Sequence, residues 1–311
     1  MILTITLNAA IDKTYTIGGF HAGGNFRPSE MHALAGGKGL NVSRAARALG
    51  CQVTATGFVG GHNGAFIEDG VKEMGVRPEF VYVDGESRIC IAVLDPQGGT
   101  TTEIWEKGPT ISSVACDEFM DKLNDLTEQA NVVTASGSLP QGVADTIYAD
   151  IAVLCRRLEK PFILDTSGQA LAEGIKGKPT MIKPNVHELE ALLQKNITDD
   201  DEIISAAEEI AQNGIDIIAV SMGEKGSLVW AYGLVYKVKA PYVEVVDAVG
   251  SGDSMVAGYA AGIEMGYSAK DMIRLGAACA TANVLTYGAG TIEPDTVQRF
   301  FSQLEIYDIK R

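Results

Sequence analysis

Asp247-Ala248-Val249-Gly250-Ser251-Gly252-Asp253-Ser254-Met255-Val256-Ala257-Gly258 is a glycine-rich turn that runs into an apolar helical pattern, with one carboxylate in the first turn. Backbone N–H groups with little side chain around them can approach an anion closely, and the helix dipole favours negative charge at that end. Asp253 repels phosphate, so it reads better as a base beside an anion cradle formed by Gly250, Ser251 and Gly252. Such a pairing points to phosphoryl transfer onto a hydroxyl. Taken by itself, the stretch is explained better by a helix start capped with Ser and Asp, so the rest of the chain has to decide.

Upstream, short apolar runs of buried-strand type at 2–7, 53–58, 131–135, 162–164, 181–182 and 215–221 alternate with helical patterns at 38–49, 63–74, 115–129, 143–158, 186–194 and 201–213. The alternation predicts an α/β fold with a mainly parallel central sheet flanked by helices on both faces. Residues 10–35 and about 79–106 break the rhythm; rich in Thr, Tyr, Val and Gly, they read as strands of a small β-sheet lid. A lid of this kind can cover a site and exclude water. Residues 228–232 and 234–238 around Gly233 predict a hairpin, and 254 to about 303 predict Ala/Gly-rich helices. With no repeat and no Pro/Ser linker, residues 1–311 read as a single domain carrying the lid strands.

The 46% hydrophobic content and mean hydropathy of +0.09 supply a sizeable core. A formal charge of −15, from 25 Lys and Arg against 40 Asp and Glu, argues against nucleic acid or an anionic membrane as partner. An anionic substrate then needs cations placed locally, which draws attention to each Lys or Arg near a glycine turn. Five cysteines without paired spacing argue against a disulfide framework or zinc site. The start lacks a secretory signal and no apolar run reaches membrane-spanning length, so a cytoplasmic protein is expected.

Further loops fall where the predicted strands end. Ala35-Gly36-Gly37-Lys38-Gly39-Leu40-Asn41 precedes the first long helix; Gly37 lets a ligand near the backbone, Lys38 is a cation, and Asn41 both donates and accepts. The spacing is neither that of a P-loop nor that of a dinucleotide fingerprint. Asp12, after the first strand, suits a pair of sugar hydroxyls, or simply a turn. Arg27 and Arg88 lie in the two lid segments, where a guanidinium fork matches a phosphate. Ser136 and Ser138 sit in Ser136-Gly137-Ser138-Leu139-Pro140, after the third predicted strand run at 131–135. Lys183-Pro184-Asn185-Val186-His187-Glu188 follows another strand; Asn185 and Glu188 either orient water around a divalent cation or cap a helix. Ser221, Gly223 and Gly226 end a further strand with open backbone suited to a nucleotide. The four histidines show no metal spacing.

Taken in order, Asn8…Asp12, Gly36-Gly37-Lys38-Gly39, Ser136–Pro140, Lys183-Pro184-Asn185…Glu188, Ser221…Gly223…Gly226 and Asp247–Asp253 resemble the motifs of the ribokinase-like, or PfkB, sugar kinases. The segments Gly39-Leu40-Asn41-Val42-Ser43-Arg44 and Ser136-Gly137-Ser138-Leu139-Pro140 are similar to the phosphosugar branch of that family. Ser87-Arg88-Ile89-Cys90-Ile91-Ala92-Val93-Leu94, followed by Thr102-Glu103-Ile104-Trp105-Glu106-Lys107-Gly108-Pro109, is more similar to its members that act on tagatose 6-phosphate. Ala9-Ala10 departs from the Pro and Ser that many members carry after Asn8. The resemblance implies a ribokinase-like fold and ATP-dependent phosphorylation of a ketohexose phosphate. Tagatose 6-phosphate is the favoured substrate and fructose 1-phosphate the alternative; an unphosphorylated sugar, or a catalytically silent sensor, fits less well. It implies Asp253 as general base; Arg27, Lys38 and Arg88 on the substrate phosphate; and Mg²⁺ held through water by Asn185 and Glu188. Asn283 would border the adenine, and the lid would build a homodimer.

Overall fold

In the computed structural model, which describes residues 1–309, the first β-branched run forms β1 (Ile2–Thr6), buried throughout. Two strands of a second sheet follow, β2 (Ala10–Thr16) and β3 (Glu30–Gly36), and then α1 (Lys38–Ala48), β4 (Val53–Val59), α2 (Gly61–Glu73), β5 (Arg77–Pro78) and β6 (Val81–Tyr82). After β7 (Arg88–Asp95) and β8 (Thr100–Trp105) come α3 (Ser113–Gln129), β9 (Val132–Ser136), α4 (Ile147–Arg157), β10 (Phe162–Asp165) and α5 (Gly168–Gly174). The chain continues through β11 (Met181–Ile182), α6 (Val186–Leu193), α7 (Asp200–Ala211), β12 (Ile217–Ser221), β13 (Ser227–Ala231) and β14 (Leu234–Val238). It ends in α8 (Ser251–Glu264), α9 (Ala269–Asn283), α10 (Pro294–Gln303) and β15 (Ile306–Ile309).

The main sheet has the order β15-β14-β13-β12-β11-β10-β9-β1-β4-β5, with β6 also paired to β4. From β12 to β4 neighbouring strands are parallel, whereas β13, β14 and β15 are antiparallel. Parallel strands share one carboxyl edge, and the strand order reverses at β1, between β9 and β4; ligands bind at such switch points. The alternation along β1 divides the core: Ile2 joins the cluster with α1, α8 and α9, while Leu3 and Ile5 join the cluster with α3, α4 and α7. Beneath α1 the Thr4 and Ser43 hydroxyls meet at 2.6 Å, and Ser43 also donates to the Gly39 carbonyl. This link fixes the first helix, and the turn before it, over the central strand.

The second sheet runs β3-β2-β7-β8. It is smaller than the sequence suggested: residues 81–82 pair with β4 of the main sheet, so its second half begins at Arg88. Three elements were not anticipated, β5, α5 and β15. All are too short for periodicity to reveal, and β15 gains its strand character from pairing with β14. Among the described residues no helix is long and apolar enough to cross a membrane.

Candidate active site

The amino end of α8 carries no side-chain cap. Its N-cap, Gly250, is left-handed (φ 79°), and a Cβ there would lie 2.5 Å from the Ala289 Cα. Only glycine fits both demands. Ser254 N–H donates to Gly250 O at 2.8 Å, and Ser251 N–H turns back to Ala248 O at 3.3 Å. The Ser251 amide, expected in the anion cradle, is therefore occupied within the turn. The N–H groups of Gly250, Gly252 and Asp253 have no acceptor among the described residues.

Asp253 is 5% exposed, and its Oδ2 accepts a hydrogen bond from Asn41 Nδ2 at 2.8 Å. Burial pushes its carboxyl up to about 6, while Lys38, the Asn41 hydrogen bond and Lys183 act the other way. Lys38 Nζ lies 3.6 Å, and Lys183 Nζ 3.3 Å, from the two oxygens of Asp165 at the end of β10. Asp165 is the chief cause of a raised Lys38 pKa. Neither Asp165 oxygen makes an aligned hydrogen bond. Sequence reasoning missed Asp165, although it is a carboxylate at the carboxyl end of a predicted strand, the same signal that singled out Asp12.

Asp12 stands on β2 with its Oδ2 accepting the Gly37 N–H at 3.3 Å. A Cβ on Gly36 would fall 2.0 Å from that carboxylate, which explains the glycine there. Burial raises the Asp12 pKa, and the Gly37 hydrogen bond, Arg88 and Arg44 counter it. Arg88 opens β7 opposite Ala10, and its Nε donates to Asn8 O at 3.1 Å. Asn8 Nδ2 reaches Ser138 Oγ at 3.4 Å and Lys107 O at 3.3 Å. Ser136 Oγ is buried without a partner among the described residues, and Ser138 is exposed.

Arg27 does not join this group within one chain. It lies exposed in the β2–β3 connection, beyond the Thr16↔Glu30 pair, whereas Ala10↔Gly36 marks the end near Lys38. Six residue steps of strand separate the two ends, or about 20 Å at the usual rise per residue. Its place in a lid segment said nothing of which end of a hairpin it would occupy.

On the opposite side, Asn185 and Glu188 form a capping box: Glu188 N–H donates to Asn185 Oδ1 at 2.8 Å, and Asn185 N–H to Glu188 Oε2 at 2.9 Å. Ser221 N–H donates to Pro184 O at 3.0 Å, which brings β12 beside the same turn. Gly223 has open space around it, while a Cβ at Gly226 would lie 2.0 Å from Val238 O, so Gly226 serves the β13–β14 packing. Asn283 is fully buried: its Nδ2 donates to Val249 O, and its Oδ1 accepts from Ser254 Oγ and Gly290 N–H. With its amide so engaged, Asn283 ties the Val249 and Gly290 loops together. Arg44, whose guanidinium contacts Asn41, was quoted only as part of a motif.

Comparison with known proteins follows the same lines. The family model described as pfkB family carbohydrate kinase matches residues 2–296. A tagatose-6-phosphate kinase of Staphylococcus epidermidis is 38% identical over 312 residues, covering 99% of this chain and 100% of that protein. A Thermotoga maritima structure described as a possible 1-phosphofructokinase superposes with a TM-score of 0.90 at 27% identity, covering 100% of both chains. Phosphofructokinase-2 of Escherichia coli, solved in complex with substrates and products, gives 0.88 at 26% identity, covering 97% of this chain and 98% of that one.

Proposed function

The chain belongs to the pfkB family of carbohydrate kinases, and we propose that it transfers the γ-phosphoryl group of ATP to a hydroxyl of a ketohexose phosphate, tagatose 6-phosphate foremost. The observation that carries this reading is the buried Asp253 carboxylate beside free N–H groups at the start of α8, with Lys38 and Lys183 around it. Asp253 accepts the proton of the attacking hydroxyl, and its raised pKa of about 6 brings its basicity nearer to neutrality. The N–H groups of Gly250, Gly252 and Asp253 and the two lysine ammoniums stabilise charge on the transferred group. Asp12, Gly37, Asn41, Ser136 and Ser138 line the sugar side. Arg88 meets the substrate phosphate with the guanidinium nitrogens that Asn8 leaves unused. Ser221 and Gly223, with Lys183 and Asn185, face the nucleotide.

Among the described residues no cluster of three or more His, Cys, Asp or Glu could hold a metal. Mg²⁺ entering with the nucleotide would keep much of its water and need few direct protein ligands. The capping box leaves Glu188 Oε1 as an acceptor for a metal-bound water, while Asn185 Oδ1 already accepts a backbone N–H. When bound, Mg²⁺ would neutralise phosphate charge.

The outer strand β8 is exposed along its length, and Ile104 (55%) and Trp105 (68%), with Met31 (56%) on β3, give the small sheet open apolar surface. A second copy of the chain covers it in our reading; sedimentation showing a monomer at micromolar concentration would overturn that part. For the activity, kcat/KM with ATP is measured side by side for tagatose 6-phosphate, fructose 1-phosphate and fructose 6-phosphate. Tagatose 6-phosphate is expected to lead. ADP release with none of them sinks the proposal, and a lead for fructose 1-phosphate moves the chain to the 1-phosphofructokinase reading.

A further inference from the structure

Arg44 makes three hydrogen bonds, one of them to the residue that touches the base. Its Nη1 donates to Asn41 Oδ1 at 3.0 Å and to the Ala289 carbonyl, and its Nη2 donates to Ala35 O at 2.6 Å. A guanidinium has donors and no acceptor, so Asn41 must face it with the carbonyl oxygen. The amide NH₂ is thereby turned the other way, onto Asp253 Oδ2 at 2.8 Å. The reverse amide orientation would set donor against donor at Arg44 and oxygen against oxygen at Asp253. Two backbone walls end on the same guanidinium. Ala35 precedes the Gly36–Gly37 turn that Asp12 holds, and Ala289 packs against Gly250, the N-cap of α8.

We propose that Arg44 is a positioning residue for phosphoryl transfer: by locking the Asn41 amide it keeps an N–H donor on Asp253, and so holds that carboxylate ionised and aimed. The inference rests on the reading of Asp253 as general base. The groups that bear on Asp253 are Lys38 and Asn41 from α1, Asp165 from β10 and Lys183 after β11. Arg44 is itself electrostatically coupled to Asp12 and Asp253. Losing the oriented donor and a nearby positive charge disfavours the ionised carboxylate, so its pKa rises. Because the base acts ionised, the acidic limb of the kcat–pH profile must then move to higher pH.

The test compares wild type, Arg44→Met, Arg44→Lys and Asp253→Asn with ATP and the preferred phosphosugar, over a pH series. Arg44→Met is expected to move the acidic limb up by about one unit and to lower kcat near neutral pH about tenfold, with both KM values changing far less. Lysine keeps the charge but not the planar fork, so Arg44→Lys is expected to retain more than half of the shift. A folded Arg44→Met with an unmoved limb overturns the proposal, even if its thermal midpoint falls. A limb at the wild-type position in Arg44→Lys overturns it too, since charge alone would then explain the methionine variant, and this arm stands if the methionine variant does not fold. Asp253→Asn separates the two readings. If it keeps its kcat, the base assignment itself has failed; if it is inactive while the Arg44 variants behave as wild type, only this inference has.

Discussion

Two helices begin at the carboxyl edge of the main sheet, and they treat their free N–H groups in opposite ways. At α6, Asn185 and Glu188 satisfy each other's backbone reciprocally, with both hydrogen bonds under 3.0 Å. At α8, a left-handed glycine replaces the capping side chain, and three successive or neighbouring N–H groups face no protein acceptor. An unmade cap forgoes about 1 kcal/mol. The start of α8 is therefore less stable than it could be, and it lies beside a buried carboxylate and two lysines. The contrast teaches that an α-helix start is marked for ligand by what its sequence leaves unsatisfied. Glycine, Ser and Asp at α8 look like better capping material than the α6 turn does, yet the conformation of Gly250 directs the N–H groups outward.

Asp253→Asn is the substitution with the largest expected effect on this contrast. It should lower kcat by about 10²–10⁴ while KM values change little. Folding stability at neutral pH should not fall, and the sign can be worked out. The carboxyl is raised to about 6 in the folded chain from 3.8, so between these values the folded state binds more protons than the unfolded state. Stability from this group therefore declines as pH rises through that window, and the ionised form is a destabilising one at pH 7. An amide removes that charge. The wild-type rate should climb as pH passes through about 6, the value that burial gives Asp253. A variant that loses stability and rate together would make Asp253 a structural residue and abolish the difference between the two helix starts.

The sequence carried much of this geometry, and particular residues show where it stopped. The parallel sheet was legible because β1, β4, β9 and β12 are short, mostly apolar runs rich in β-branched residues and almost wholly buried. The loops after β1, β9 and β12 then fall on one edge, but Lys38 and Asn41 follow β3 of the small sheet and Asp253 follows the antiparallel β14, so only the resemblance of the motifs groups them with Asp12. Orientation was not legible. Arg27 sits at the far end of a hairpin whose register is set by β2–β3 pairing, and Asn283 faces inward because Val249 and Gly290 need its amide. Asp165 and Arg44 gain their importance from partners more than a hundred positions away, Lys38 and Ala289 respectively. No local pattern announces such a pairing.

Glu188→Gln gives a smaller effect and tests whether the α6 start is structural alone. Glutamine can complete a capping box as glutamate does, so stability should change by less than about 1 kcal/mol, the helix-dipole contribution of the charge. If Glu188 Oε1 holds a metal-bound water, kcat at limiting Mg²⁺ should nonetheless fall about tenfold, in the range that outer-sphere partners contribute. Added Mg²⁺ should recover part of the loss. An unchanged Mg²⁺ dependence would leave α6 as scaffold and sharpen the contrast.

Asn185→Ala is expected to do the least to catalysis, because the Asn185 oxygen is already engaged by the Glu188 N–H. Removing that acceptor should cost about 1 kcal/mol, as cap deletions do, seen as a drop of roughly 2 °C in the thermal midpoint of a chain this long. The backbone N–H of residue 185 would still donate to Glu188 Oε2, so half of the box survives. KM for ATP should then stay within about twofold of wild type, since a neutral hydrogen bond is worth only about 1 kcal/mol net. A tenfold rise in that KM with an unchanged midpoint would overturn this ranking: the Asn185 amide would then hold the nucleotide directly instead of only lining its side of the site, and both helix starts would belong to the ligand.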